Sequence, residues 1–272
     1  MINTHAILSL IKFYQNSDTY YRVHSPFLFD LLENTLEDDR HFYVFDKIES
    51  FRSELTSNNT VLTVEDLGAG SKTTKSNQRT IKQITNSAVS PAYQSRFLFK
   101  LAQYMRSRNI IELGTSMGIS SLYLSNYSKK VNLISLEGSR EILQQAKKNF
   151  KAFGAENIST LLGHFDDTFP EALDRFEKVD FVYIDGNHAK EPTLKYFEWC
   201  LAKVHDKTVL VFDDIYWSPE MTEAWEIIKK HPSVKLSLDM YYFGIVFFNI
   251  DILQKQEFKI VSSKFKPWQR YI

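Results

Sequence analysis

Asp185, Asp213 and Asp214 stand at the carboxyl ends of two apolar runs, FVYID and VLVFDD, and His188 follows three residues after the first of them. In an open α/β sheet that edge is where active sites are built. Three carboxylates gathered there repel one another unless a cation neutralises them. An all-oxygen set suits Mg2+, Mn2+ or Ca2+, whereas zinc favours His or Cys ligands. His188 brings an imidazole, a side chain that suits a general base. Aspartates at strand ends also cap the helix that follows, and that reading stands beside the metal one.

A second cluster lies upstream, in NIIELGTSMGISS. An apolar run leads into a turn bearing Gly114 and Gly118, where backbone approaches a ligand closely and side chains are absent. The spacing is G-x-x-x-G. It lacks the middle glycine that seats a dinucleotide pyrophosphate on a helix N-terminus, which favours a cofactor without phosphate. Glu137, in SLEGS with Gly138 after it, falls twenty-three residues beyond Gly114. At that distance a Rossmann-type unit presents a carboxylate to ribose hydroxyls, though an acid there also favours the dipole of the helix SREILQQA. VEDLGAGSK at residues 64–72 looks like a second glycine loop. No second strand with a carboxylate follows it, so it reads as a turn.

The elements that must position these groups are legible from about residue 109 onward. Strand-like runs NIIELG, KVNLISLEG, ISTLLG, KVDFVYIDG and KTVLVFDD alternate with helical patterns, the signature of a parallel sheet covered by helices. In SREILQQAKKNFKAFG, Ile142, Leu143, Ala146, Phe150 and Phe153 recur at helical spacing, with Gly154 where a C-terminal cap belongs. VKLSLDMYY and FGIVFFNI are joined so closely that they read as antiparallel neighbours. Residues 1–89 read as a mainly helical extension packed on the catalytic domain and covering the substrate site, 90–250 as the cofactor-binding domain, and 251–272 as a strand-like tail. Lys plus Arg and Asp plus Glu both number 33, so the net charge is zero and neither nucleic acid nor a membrane is expected as a partner. Cys200 has no partner cysteine and reads as a buried apolar residue in a reducing compartment. With no signal-peptide pattern at the start and no bilayer-length apolar run, a cytoplasmic location is expected.

Taken in order, ELGTSMGISS, SLEGS, YIDGNH and VFDDIYW resemble the class I S-adenosylmethionine-dependent methyltransferases. Within them they resemble the O-methyltransferases of the catechol type and the sugar and small-molecule O-methyltransferases with a D-G-x-H block. The resemblance covers about residues 88–250 and implies a Rossmann-like sheet, mostly parallel, that closes with a reversed strand. It implies S-adenosyl-L-methionine held by Glu112 at its methionine end, by the turn Gly114, Thr115, Ser116 and Gly118, by Glu137 and Gly138 at the ribose, by Gly163, His164 and Phe165 around the adenine, and by Asp185. It implies a metal on Asp185, Asp213 and Asp214, with His188 and Asp185 in the catalytic role. The loop reading of Glu112 and of His164 stays open. Catechol-type members pair Asp with Asn where this chain has Asp213 and Asp214, and His188 replaces their lysine base. The expected reaction is methyl transfer to the hydroxyl of a small-molecule acceptor. The alternatives are a metal-independent enzyme with His188 as base and a catalytically silent cofactor-binding partner subunit, and a homodimer is left open. Trp217, Tyr216, Tyr241 and Tyr242 could line an apolar acceptor pocket or simply fill the core.

Overall fold

In a computed structural model, which describes residues 4–64, 77–249 and 251–271, the alternating apolar runs form strands and the periodic ones form helices. Residues 65–72 of the VEDLGAGSK segment lie outside the described residues. From the N-terminus come α1 (Thr4–Asn16), α2 (Pro26–Asn34) and α3 (Tyr43–Thr56), the short strands β1 (Val61–Thr63) and β2 (Gln78–Thr80), then α4 (Ile81–Ala88) and α5 (Ala92–Tyr104). The alternating part follows as β3 (Asn109–Leu113), α6 (Ile119–Ser125), β4 (Asn132–Glu137), α7 (Arg140–Phe153), β5 (Ile158–Leu162), α8 (Phe165–Asp174), β6 (Phe181–Ile184), α9 (Lys190–Leu201), β7 (Val209–Asp213) and α10 (Pro219–Lys230). The chain closes with β8 (Leu236–Asp239), β9 (Phe243–Phe247) and β10 (Gln256–Lys259).

These elements group into two compact units, one made of Arg40–Val182 and the other of Met1–Asp39 with Tyr183–Ile272. The sequence-based divisions at 89 and 250 are not those of the units. In the Arg40–Val182 unit the strands neighbour one another in the order β6-β3-β4-β5, β6 entering with Phe181 and Val182, and the β3–β4 and β4–β5 pairs are parallel. β3 is buried over Ile110–Leu113, as expected of a strand covered on both faces. Helix α7 turns Ile142, Leu143, Ala146, Phe150 and Phe153 inward and ends at Gly154, whose left-handed φ of 81° lets its N–H reach the Phe150 carbonyl at 2.9 Å. Phe45, Ile48 and Leu55 of α3 and Ile81 and Ile84 of α4 share one core with Met117, Leu122, Tyr123 and Phe150. Helices α3 and α4 of the N-terminal extension are therefore part of this unit's interior.

In the other unit the order is β10-β8-β9-β7-β6, with β9 antiparallel to both β7 and β8 and β10 parallel to β8. The reversed strand expected from the close spacing of VKLSLDMYY and FGIVFFNI is β9. Here the first 39 residues are stitched to the tail: Asp18 bridges Ile260, the Thr19 N–H donates to Gln269 Oε1 at 2.8 Å, and the Ser263 N–H donates to Glu37 at 2.8 Å. Gly244 of β9 lies so close to Trp225 that a Cβ would stand 2.7 Å from the indole and 2.9 Å from Ile215 Cγ2. Gly244→Ala is expected to cost about 1–3 kcal/mol by overpacking. A thermal melt equal to the parent's would show that Trp225 yields instead.

Candidate functional site

The glycine turn, in the Arg40–Val182 unit, is built where β3 passes into α6. Gly114 and Gly118 have φ of 103° and 81°, and Ser116 between them is at 47°, a left-handed conformation that a serine adopts only when held. The holding bonds come from β4. The Gly114 and Thr115 N–H groups donate to the Leu136 carbonyl at 3.0 and 3.1 Å, and the Ser116 N–H donates to Glu137 Oε2 at 3.0 Å. Gly118 also has to be small for packing, because an added Cβ would stand 2.3 Å from Phe150 Cε1.

Glu137, half-buried at the end of β4, takes a second N–H from Ser139 across Gly138 at 3.0 Å, while its own carbonyl accepts from the Gly163 N–H at 3.0 Å. The ends of β3, β4 and β5 are thus tied together through one residue. His164 is the N-cap of α8, its Nδ1 accepting from the Asp166 N–H at 3.1 Å, and Phe165 opens that helix half-buried. Glu112 lies in β3 just before the turn. It is 0 % exposed, and its Oε2 accepts from the hydroxyls of Ser121 and Ser135. The sequence does mark the two serines, since each is a polar residue inside an otherwise apolar run.

The acidic group lies wholly in the Met1–Asp39 and Tyr183–Ile272 unit. Asp185 follows β6 and accepts from the Tyr183 hydroxyl at 3.1 Å, with His188 Nε2 at 3.6 Å from its other oxygen. Tyr183 was detectable beforehand, because residues two apart on a strand share a face. Asp213 ends β7, and burial together with the charges of Asp185 and Asp214 pushes its carboxyl well above the usual range. Burial also raises Asp214, the charge of His188 opposing the rise. Asp214 is at φ 52°, its N–H held by the Tyr242 carbonyl at 2.9 Å and its own carbonyl accepting from the Trp217 N–H at 2.8 Å. The Trp217 ring, 42 % exposed, lies 6.2 Å from that of His188.

The helix-capping reading of these aspartates does not hold. The N-cap of α9 is Ala189, and that of α10 is Ser218, whose hydroxyl accepts from the Met221 N–H. As they stand, no three His, Cys, Asp or Glu side chains among the described residues are grouped so as to hold a metal ion. Helix α1 belongs to this unit as well: the Tyr241 hydroxyl donates to the Ala6 carbonyl at 2.8 Å, and Phe13 packs on Tyr241, which is stacked on Tyr216. Cys200 is buried, and burial raises its thiol pKa, which fits an inert core residue. Among the described residues no helix is long and apolar enough to cross a membrane.

Residues 111–215 match the family described as "Methyltransferase domain". A catechol O-methyltransferase of Niastella koreensis is 31% identical over 131 residues, which are 47% of this chain and 58% of that protein. A second, of Mycobacterium tuberculosis, is 27% identical over 126 residues, 46% of this chain and 56% of that protein. The chain thus spans little more than half the length of these relatives. An O-methyltransferase from Bacillus cereus, solved in complex with SAH, superposes with a TM-score of 0.52 at 20% identity, over 80% of this chain and 99% of that one. Residues 111–215 thus match a methyltransferase domain, and the mostly parallel sheet with its reversed strand is the fold shared with the solved O-methyltransferase.

Proposed function

We propose that this protein transfers a methyl group from S-adenosyl-L-methionine to the hydroxyl of a small-molecule acceptor, with a divalent cation at Asp185, Asp213 and Asp214. The observation that carries the reading is the crowding of Asp213 by Asp185 and Asp214, with His188 beside Asp185. Carboxylates compressed in this way bind either a shared proton or a cation, and an oxygen-only donor set suits Mg2+, Mn2+ or Ca2+. Relatives named as O-methyltransferases support the same chemistry.

The sulfonium cofactor supplies a methyl group with a good leaving group already attached, and the cation, when bound, supplies positive charge that favours ionisation of a hydroxyl. The chain's own residues then have two tasks: to hold the acceptor in line and to take its proton. His188 is the residue that receives the proton, and its ring stands beside Asp185, with Nε2 3.6 Å from that carboxylate. Glu137 binds the ribose hydroxyls, and the turn Gly114, Thr115, Ser116 and Gly118 backs the methionine end. Gly163, His164 and Phe165 frame the adenine. Helix α1, anchored on Tyr241, covers the acceptor.

S-adenosylhomocysteine is expected to raise the melting temperature by mass action, and NAD is not. Glu137→Ala is expected to lose about tenfold or more in affinity for S-adenosylhomocysteine by calorimetry, since a charge-assisted contact to two hydroxyls disappears. Affinity equal to the parent's would remove Glu137 from the ribose.

A further inference from the structure

We infer that Asn149 of α7 is a positioning residue for the cofactor pocket, holding the Met117 carbonyl and with it the part of the glycine turn assigned to the methionine end. The inference rests on the cofactor reading above. The apolar stripe of α7 runs through Ile142, Leu143, Ala146, Phe150 and Phe153, and Asn149 interrupts it while only 3 % exposed. A buried amide needs hydrogen-bond partners, and both ends of this one have them. Gln145, one helical turn earlier, donates Nε2 to Asn149 Oδ1 at 2.7 Å. That bond fixes the orientation of the amide, so Nδ2 is the end that donates to the Met117 carbonyl, at 2.9 Å. Phe150, the next residue, fills the space against Gly118. Two consecutive side chains of one helix thus shape the turn.

The turn needs such support because its own residues do not favour its shape. The Gly118 N–H donates to the Thr115 carbonyl at 2.8 Å, closing a four-residue turn whose second residue is Ser116 at φ 47°. A positive φ at that position suits Gly, Asn or Asp, and a serine takes it only when held from outside. β4 holds the first half of the turn, through the Thr115 N–H on the Leu136 carbonyl and the Ser116 N–H on Glu137. The second half, Met117 and Gly118, is held from α7 by the Asn149 amide and the Phe150 ring. Removing the amide leaves the buried Met117 carbonyl without its donor and frees the Met117–Gly118 peptide to rotate. Glu137 keeps the Ser139 N–H at 3.0 Å and the bond from the Gly163 N–H to its carbonyl, neither of which involves the turn. The loss should therefore fall on the methionine end and spare the ribose.

Calorimetry with two ligands separates this role from a general contribution to stability: S-adenosylhomocysteine, and 5′-methylthioadenosine, which keeps the adenosine and lacks the amino-acid end. Asn149→Ala is expected to weaken S-adenosylhomocysteine about tenfold and 5′-methylthioadenosine by less than about twofold. Asn149→Asp keeps the size of the side chain and the bond from Gln145 but brings no donor to Met117, and the same pattern is expected of it. If neither variant folds, Gln145→Ala, which releases the orientation of the amide, carries the comparison with a smaller loss of the same pattern. Parent-like affinity for S-adenosylhomocysteine in the variants that fold, or a loss shared equally by the two ligands, overturns the inference and leaves the cofactor reading standing. A parent protein that binds neither ligand overturns the cofactor reading and this inference with it.

Discussion

Asp213→Asn is expected to lower methyl transfer on the order of a hundredfold or more while cofactor affinity stays close to the parent's, because none of the residues assigned to the cofactor changes. The same substitution is expected to raise the melting temperature at neutral pH in the absence of divalent cation. The sign follows from linkage. Burial and the neighbouring Asp185 and Asp214 hold the folded carboxyl of Asp213 above its unfolded value. The native state therefore binds the extra proton, and the favourable contribution, full below the unfolded value, is lost as pH rises through the folded one. At neutral pH the parent bears the resulting penalty, and the asparagine does not. The stability advantage of the variant should shrink on acidification toward the ordinary carboxylate range. Mg2+ or Mn2+ should raise the melting temperature of the parent and not of the variant. Full activity in chelator, with no cation response in the parent, would discard the metal and leave His188 as the sole base.

Gly118→Ala is expected to abolish detectable binding of S-adenosylhomocysteine, a loss of at least about a hundredfold. Two independent costs add there. The residue is at φ 81°, which strains an alanine by roughly 1 kcal/mol, and the new Cβ would stand 2.3 Å from the Phe150 ring, which is packed in the core between α6 and α7. The strain is relieved by moving the turn, and the turn carries the Ser116 N–H that holds Glu137. Gly70→Ala, in the glycine loop that resembles a nucleotide motif on paper, is expected to leave affinity unchanged. Calorimetry on the two variants decides the matter, and equal losses would move part of the pocket into residues 64–72.

Much of this protein was legible before any coordinates. Strand-forming residues repeat in short buried runs, α7 shows its apolar stripe and its Gly154 cap, and a few residues between β8 and β9 admit only an antiparallel pairing. Local rules of this kind act within a dozen residues, so the α/β class, the order of elements, the positions of Gly114, Glu137, Asp185, Asp213 and Asp214 at strand ends and that of Gly118 at a helix start all follow from the text of the chain. What local rules do not reach is which residues meet across the sequence. The extension read as one segment, yet its first 39 residues group with the aspartates and the tail while α3 and α4 enter the core beside α6 and α7. Glu112 read as a group that helps hold the methionine end, through hydrogen bonds or water, because it precedes the glycine turn. Only tertiary packing buries it and turns its carboxylate toward Ser121 and Ser135, nine and twenty-three residues away. The crowding that raises Asp213 likewise exists only once β6 and β7 have brought three carboxylates together, because charge interaction depends on distance in space and not on spacing along the chain.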